Sequence, residues 1–156
     1  MSEAENKLNE LSSFFRRISA KVKLINLIER AKIEYDKCNL DFSLENLEKA
    51  YQLDSQNATT LRGLGCVNQA LGNIDKAIEY YKKAVEISTR KEVEYSLLGA
   101  IYYLQDNLDE AVKYFNLAIE ANDNYDVAYE GRNQAMLENH LKVIDLQEAL
   151  NNCFEK

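Results

Sequence analysis

The sequence predicts an all-α array of antiparallel helix pairs, and three observations carry that prediction. First, one skeleton recurs at a spacing of 34 residues. Leu61, Leu64, Gly65, Ala77, Tyr81 and Ala84 return as Tyr95, Leu98, Gly99, Ala111, Phe115 and Ala118. A weaker copy precedes them as Leu27, Ala31, Ser43, Leu47 and Ala50. A fixed period of that length with helix-turn-helix patterning marks stacked repeats. Second, Asn39-Leu40-Asp41, Asn73-Ile74-Asp75 and Asn107-Leu108-Asp109 stand at the same point of each copy. Asparagine suits the capping or left-handed backbone of a turn, the aliphatic residue staples the corner, and aspartate meets the positive helix end. Third, the 156 residues include five glycines and no proline, which leaves little loop on which to build a catalytic site.

The elements follow in order. Ser2 and Glu5 have the spacing of a capping box, so a helix is expected to begin at once. Leu8, Leu11, Phe15, Ile18, Val22 and Ile25 then alternate steps of three and four residues, the rhythm of a coiled-coil stripe. Asn9 and Arg16 stand where a repeat would carry alanines, so residues 1–23 form an extra amphipathic helix. Covering those six side chains is worth on the order of 10 kcal/mol gross, so something must cover them. The favoured cover is the chain's own first repeat, with the helix as an N-terminal cap. A second copy of the chain, giving a homo-oligomer through Leu8, Leu11, Phe15 and Ile18, and the array's own groove are the other two.

Repeat one spans residues 24–57, with a first helix over 24–37 and a second opening at Asn39. Repeats two and three span 58–91 and 92–125. Gly72 takes the permissive turn position once; Cys38 and Asp106 take it elsewhere, at some strain. Residues 126–156 make the C-terminal cap, expected as one helix from Tyr129 towards His140 and a second over Leu141–Phe154. The second would be apolar at Ile144, Leu150, Cys153 and Phe154. His140 is then a solvated turn residue.

The repeats resemble the tetratricopeptide repeat. The third copy fits best, with Tyr95-x2-Leu98-Gly99-x2-Tyr102 and Ala111-x3-Phe115. The second keeps Leu61-x2-Leu64-Gly65 and Ala77-x3-Tyr81, with Asn68 in an aromatic's place. The first has Ala31 for the glycine and Ser43 for the alanine. Ser55, Thr89 and Asp123 replace the family's closing proline. The resemblance covers about two thirds of the chain and implies a right-handed superhelical array of about three repeats. It implies a non-enzymatic protein-interaction module, an adaptor or scaffold that takes a peptide or amphipathic helix in a concave groove lined by first helices.

Carried onto this chain by helical spacing, that groove is lined by Ile28, Lys32 and Tyr35, then Arg62, Cys66 and Gln69. Ser96, Ala100 and Tyr103 follow, and Glu130, Gln134 and Leu137 close the row. Ala70, Val93, Leu97 and Leu104 add apolar content. Tyr35 and Tyr103 are the expected anchors, because tyrosine gives large contact area at low entropic cost. Family members that hold acidic chaperone tails clamp the terminal carboxylate with lysines, asparagines and an arginine. Ile28, Lys32, Gly63, Val93 and Leu97 stand at those places here, so no carboxylate clamp is expected.

Composition narrows the classes further. At 46% hydrophobic and 29% charged, the chain suits a core built as a seam between neighbouring helices. No apolar run approaches the ~20 residues of a membrane span. The acidic opening is not that of a secretory signal, which makes the cytoplasm the default compartment. A net charge of −7 argues against nucleic acid as partner. Arg16, Arg17, Lys21 and Lys23 run against that trend, and a solvated helix face explains them. Cys38, Cys66 and Cys153 lack paired ligand spacing, so no metal and no cofactor is expected; they read as buried or half-buried small hydrophobes. No phosphate-cradling loop or nucleophile motif occurs, so no residue is assigned a catalytic role.

Overall fold

Turns built around one left-handed residue close three of the six helix junctions. The computed structural model describes the backbone of residues 3–154 and the side chains of residues 5–146. Its elements are α1 (Glu3–Asp36), α2 (Leu40–Leu53), α3 (Ala58–Ala70), α4 (Ile74–Ile87), α5 (Lys91–Leu104), α6 (Leu108–Ala121) and α7 (Asp126–Phe154). Among the described residues there is no strand. The chain forms two compact units, Met1–Tyr80 and Tyr81–Lys156, with the division inside α4.

Cys38, Gly72 and Asp106 have φ of 61°, 79° and 63°, each one residue before a recurring asparagine. The N–H of that asparagine donates back across the turn, Asn39 to Glu34 O at 2.8 Å, Asn73 to Asn68 O at 2.8 Å and Asn107 to Tyr102 O at 2.9 Å. The left-handed residue itself donates to the carbonyl three residues back, Tyr35 O, Gln69 O and Tyr103 O. This is the Schellman arrangement, which satisfies the last carbonyls of a helix. Side chains brace two of the turns: Asn39 Nδ2 donates to Glu34 Oε2 at 2.7 Å, and Asn73 Nδ2 to Asn68 Oδ1 at 3.4 Å. The bond from Asn39, helped by Lys37, holds the Glu34 carboxyl below its usual range.

A non-glycine residue in this conformation costs on the order of 1–2 kcal/mol. Cys38→Gly should therefore raise the unfolding free energy by about 0.5–1 kcal/mol, the gain being trimmed by glycine's freedom in the unfolded chain. Urea unfolding checks this; an unchanged or lower midpoint contradicts it.

In the first unit α1 packs on α2 and α3, and α2 on α3. Ala31, Leu47, Leu64 and Val67 make its core, with Leu24, Leu27 and Ala50 beside them. Ser43, which replaces the repeat's alanine, is buried and donates from Oγ to Ala31 O at 2.8 Å, so its hydroxyl is accommodated. Asn68 is buried too, and its amide donates to Leu64 O at 2.8 Å. In the second unit α5 packs on α6 and α7, and α6 on α7. Ala111, Phe115, Ala118, Ala128 and Ala135 form that core. Tyr102 stacks on Tyr114 with ring centroids 5.2 Å apart and 6° between planes.

Three expectations need correction. The N-terminal helix does not cap the first repeat. α1 runs unbroken through residue 23, and residues 5–23 are exposed, with Leu8 at 68% and Phe15 at 64%. No glycine or proline interrupts this stretch, so continuing the helix keeps every backbone bond. The turn at His140 is also absent: α7 is one helix, and His140 is exposed within it. Side chains on either side of the expected break tie α7 to the α5–α6 corner. Asn139 Nδ2 donates to Asp109 Oδ1 at 3.2 Å, and Lys142 Nζ pairs with Asp106 Oδ1. Cys38 is exposed rather than buried, because the turn position holds it outside the seam; Cys66 is half-buried. Ser2 and the side chains of Leu150, Cys153 and Phe154 lie outside the described residues.

Candidate functional site

Each unit has an apolar hollow between its two first-type helices. In the first unit a cavity of about 330 Å3 opens between α1 and α3, floored by Leu47 of α2. It gathers Ile28, Lys32 and Tyr35 from one helix and Arg62 and Cys66 from the other, residues 34 positions apart in sequence. Gly63 gives it room: a Cβ there would stand 2.7 Å from Leu47 Cδ2. Burial pushes the Tyr35 hydroxyl above its usual range. Gln69 is not on this wall.

In the second unit a cavity of about 360 Å3 opens between α5 and α7, floored by Phe115 of α6. Ser96, Ala100 and Tyr103 line one side, and Glu130 and Gln134 the other, with Val93 and Leu97 adding apolar surface. Tyr103 donates from its hydroxyl to Glu138 Oε2 at 2.5 Å. That bond, followed by desolvation, raises its titration above the usual tyrosine range. The ring is thereby fixed on the cavity wall. Ser96 Oγ is buried and has no hydrogen-bond partner among the described residues. Leu137 and Leu104 are not on this wall; they are 60% and 72% exposed. Ala70, also expected in the groove, is exposed on α3.

The two hollows differ in charge. Lys32 and Arg62 border the first, and Glu130 borders the second. Among the described residues no group of three or more His, Cys, Asp or Glu could hold a metal ion.

Sequence reasoning missed the role of two glycines. A Cβ at Gly131 would stand 2.4 Å from Phe115 Cζ, so the glycine lets α7 close onto the ring. Gly63 stands in the same relation to Leu47. The signal was present, because Gly63 and Gly131, like Leu47 and Phe115, lie 68 residues apart, which is two periods. The family's leucine-glycine pair marks Gly65 and Gly99 instead. Val127 lies before the helix start expected at Tyr129, and Glu138 falls one residue past the groove position at Leu137, so helical spacing names neither.

The tetratricopeptide repeat profile matches residues 24–90 and again residues 93–125. The chain belongs to the tetratricopeptide repeat family. None of the curated proteins matches the chain significantly. Among solved structures, the first tetratricopeptide domain of Spaghetti (RPAP3), bound to the HSP90 peptide SRMEEVD, is 19% identical with a TM-score of 0.68. That match covers 76% of this chain and 94% of the other. The Arabidopsis OM64 domain is 16% identical with a TM-score of 0.70, covering 76% and 98%. The Yersinia enterocolitica type III secretion chaperone SycD, in complex with a peptide of the translocator YopD, is 20% identical with a TM-score of 0.68, covering 74% and 94%. At such identities these likenesses establish the tetratricopeptide fold.

Proposed function

We propose that this tetratricopeptide repeat protein is a non-enzymatic interaction module whose hollows hold a peptide or an amphipathic helix of a protein partner. One observation carries the reading: residues from separate first helices converge on an apolar cavity in each unit. The Spaghetti and SycD structures, each holding a peptide, support it. Apolar side chains of the partner would fill the cavities, and Tyr35 and Tyr103 would flank them as large, low-entropy contacts. Lys32 and Arg62 favour acidic residues next to the anchor in the first unit. Glu130 favours basic ones in the second.

Affinity capture with the full chain and with a Tyr103→Ala/Arg62→Ala variant tests this reading. A partner held by the wild type should be retained at least about tenfold more weakly by the variant, a change of ~1.4 kcal/mol. Equal retention contradicts groove binding.

The acidic tail seen on Spaghetti is not the expected ligand here. The positions matching the family's clamp hold Ile28, Lys32, Gly63, Val93 and Leu97, and one lysine cannot replace the donors a desolvated carboxylate loses. Titration with SRMEEVD should give no binding tighter than roughly millimolar, about 4 kcal/mol. Micromolar affinity that is lost on Lys32→Ala contradicts this.

A second reading is self-assembly, favoured by the apolar stripe on α1. Its members are 42–68% exposed, from Ile18 to Leu8. At ~1.5–3 kcal/mol for each fully buried side chain, two such stripes at roughly half exposure would gain on the order of 10 kcal/mol by facing each other. That is comparable to the cost of association.

A further inference from the structure

Resting on the self-assembly reading, we infer that residues 8–25 of α1 form an antiparallel two-stranded coiled coil with the same residues of a second copy. α1 is helical throughout this stretch, and Leu8, Leu11, Phe15, Ile18, Val22 and Ile25 are all exposed. Their alternating steps of three and four residues make a seam about three heptads long. Leu24, Leu27 and Ala31, which α1 buries in its own unit, lie roughly on the opposite side of the helix. The seam is thus free for a partner while the first repeat stays packed.

The antiparallel register is self-complementary. Leu8 faces Ile25 of the second copy, Leu11 faces Val22, and Phe15 faces Ile18, so each layer sets one seam position against the other. Ser12 then flanks Ser19, and Phe14 flanks Lys21, whose ammonium can sit over the ring. A parallel pairing would instead bring Arg16, Arg17, Lys21 and Lys23 level with their own duplicates. The antiparallel one leaves Arg16 level with Arg17 of the second copy but brings Lys23 level with Glu10 and Lys21 level with Ser12, which relieves the repulsion of the two lysines. An isologous pair of this kind closes as a dimer.

The test uses the full chain. Sedimentation should give a dimer for the wild type and a monomer for Ile18→Asp, with unchanged helix content because Ile18 is exposed in the single chain. In a Cys38→Ser/Cys66→Ser/Cys153→Ser background, Leu8→Cys and Ile25→Cys proteins are mixed and oxidised. The expected product is the mixed disulfide, because equal positions at the seam's end lie roughly 26 Å apart in the antiparallel register, far beyond disulfide reach. Disulfides joining like to like overturn the register while leaving self-assembly standing. A dimer that gives neither product seats the stripe on another surface of the second copy, such as the hollow of its second unit, and overturns the inference. A wild-type monomer at all concentrations overturns both the inference and the reading beneath it.

Discussion

Replacing Phe115 with alanine should lower the unfolding free energy by about 3–5 kcal/mol. The ring is 4% exposed and stands at the centre of the second unit's core, against Ala111, Ala118, Ala128 and Ala135. Its neighbours on two helices are glycines: a Cβ at Gly99 would stand 3.0 Å from the ring and one at Gly131 2.4 Å. The buried residues nearest the ring are alanines and glycines, too short to fill the space left behind, so a cavity remains and adds to the lost transfer energy. Urea unfolding followed by circular dichroism measures it, and a loss under about 1 kcal/mol contradicts the packing described. The converse change supports the same contact. Gly131→Ala gains about 1 kcal/mol of helix propensity, but it drives a methyl into a buried ring, at ~1–3 kcal/mol. Its penalty should shrink in a Phe115→Leu background, a coupling that a double-mutant cycle reads directly.

Leu47→Ala should cost about 2–5 kcal/mol in the first unit. Leu47 is 3% exposed and packs with Ala31, Leu64 and Val67. It occupies the place in repeat one that Phe115 holds in repeat three, and Gly63 faces it as Gly131 faces Phe115. The effect should be smaller than that of Phe115→Ala because fewer buried atoms are removed. Equal or reversed losses in the same unfolding assay would show that the two positions are not equivalent floors. Both side chains also floor the hollows, so both variants should weaken partner capture in proportion to the loss of the wall.

The helix pairs were legible because a repeat states its contacts several times. Ala31, Ala111 and Phe115 showed the seam by their spacing, and Cys38 and Asp106 took the left-handed corner that Gly72 marks. The groove rows were legible for the same reason. Lys32, Tyr35, Arg62 and Cys66 share one cavity, and Ser96, Ala100, Tyr103 and Gln134 share another. Repetition gave no such help at the ends. The stripe from Leu8 to Ile25 needed a cover, and sequence alone could not show that its own repeat lay on the other side of the helix. His140 looked like a corner because the period demanded one there. The contacts of Asn139 and Lys142 with the α5–α6 corner involve partners 30 and 36 residues away. Ser43 and Asn68 looked like departures from the family pattern, and each is satisfied by a backbone carbonyl that no motif specifies.

The central claim is that the hollows between first helices are where a partner is held. A binding peptide selected by display against the full chain, titrated into the isotopically labelled protein, tests it most directly. The account predicts amide shifts concentrated at Lys32, Tyr35, Arg62 and Cys66, or at Ser96, Ala100, Tyr103 and Gln134, and their loss on Tyr103→Ala/Arg62→Ala. Shifts confined to the solvent-facing residues of α2 and α6, unaffected by that variant, would contradict it.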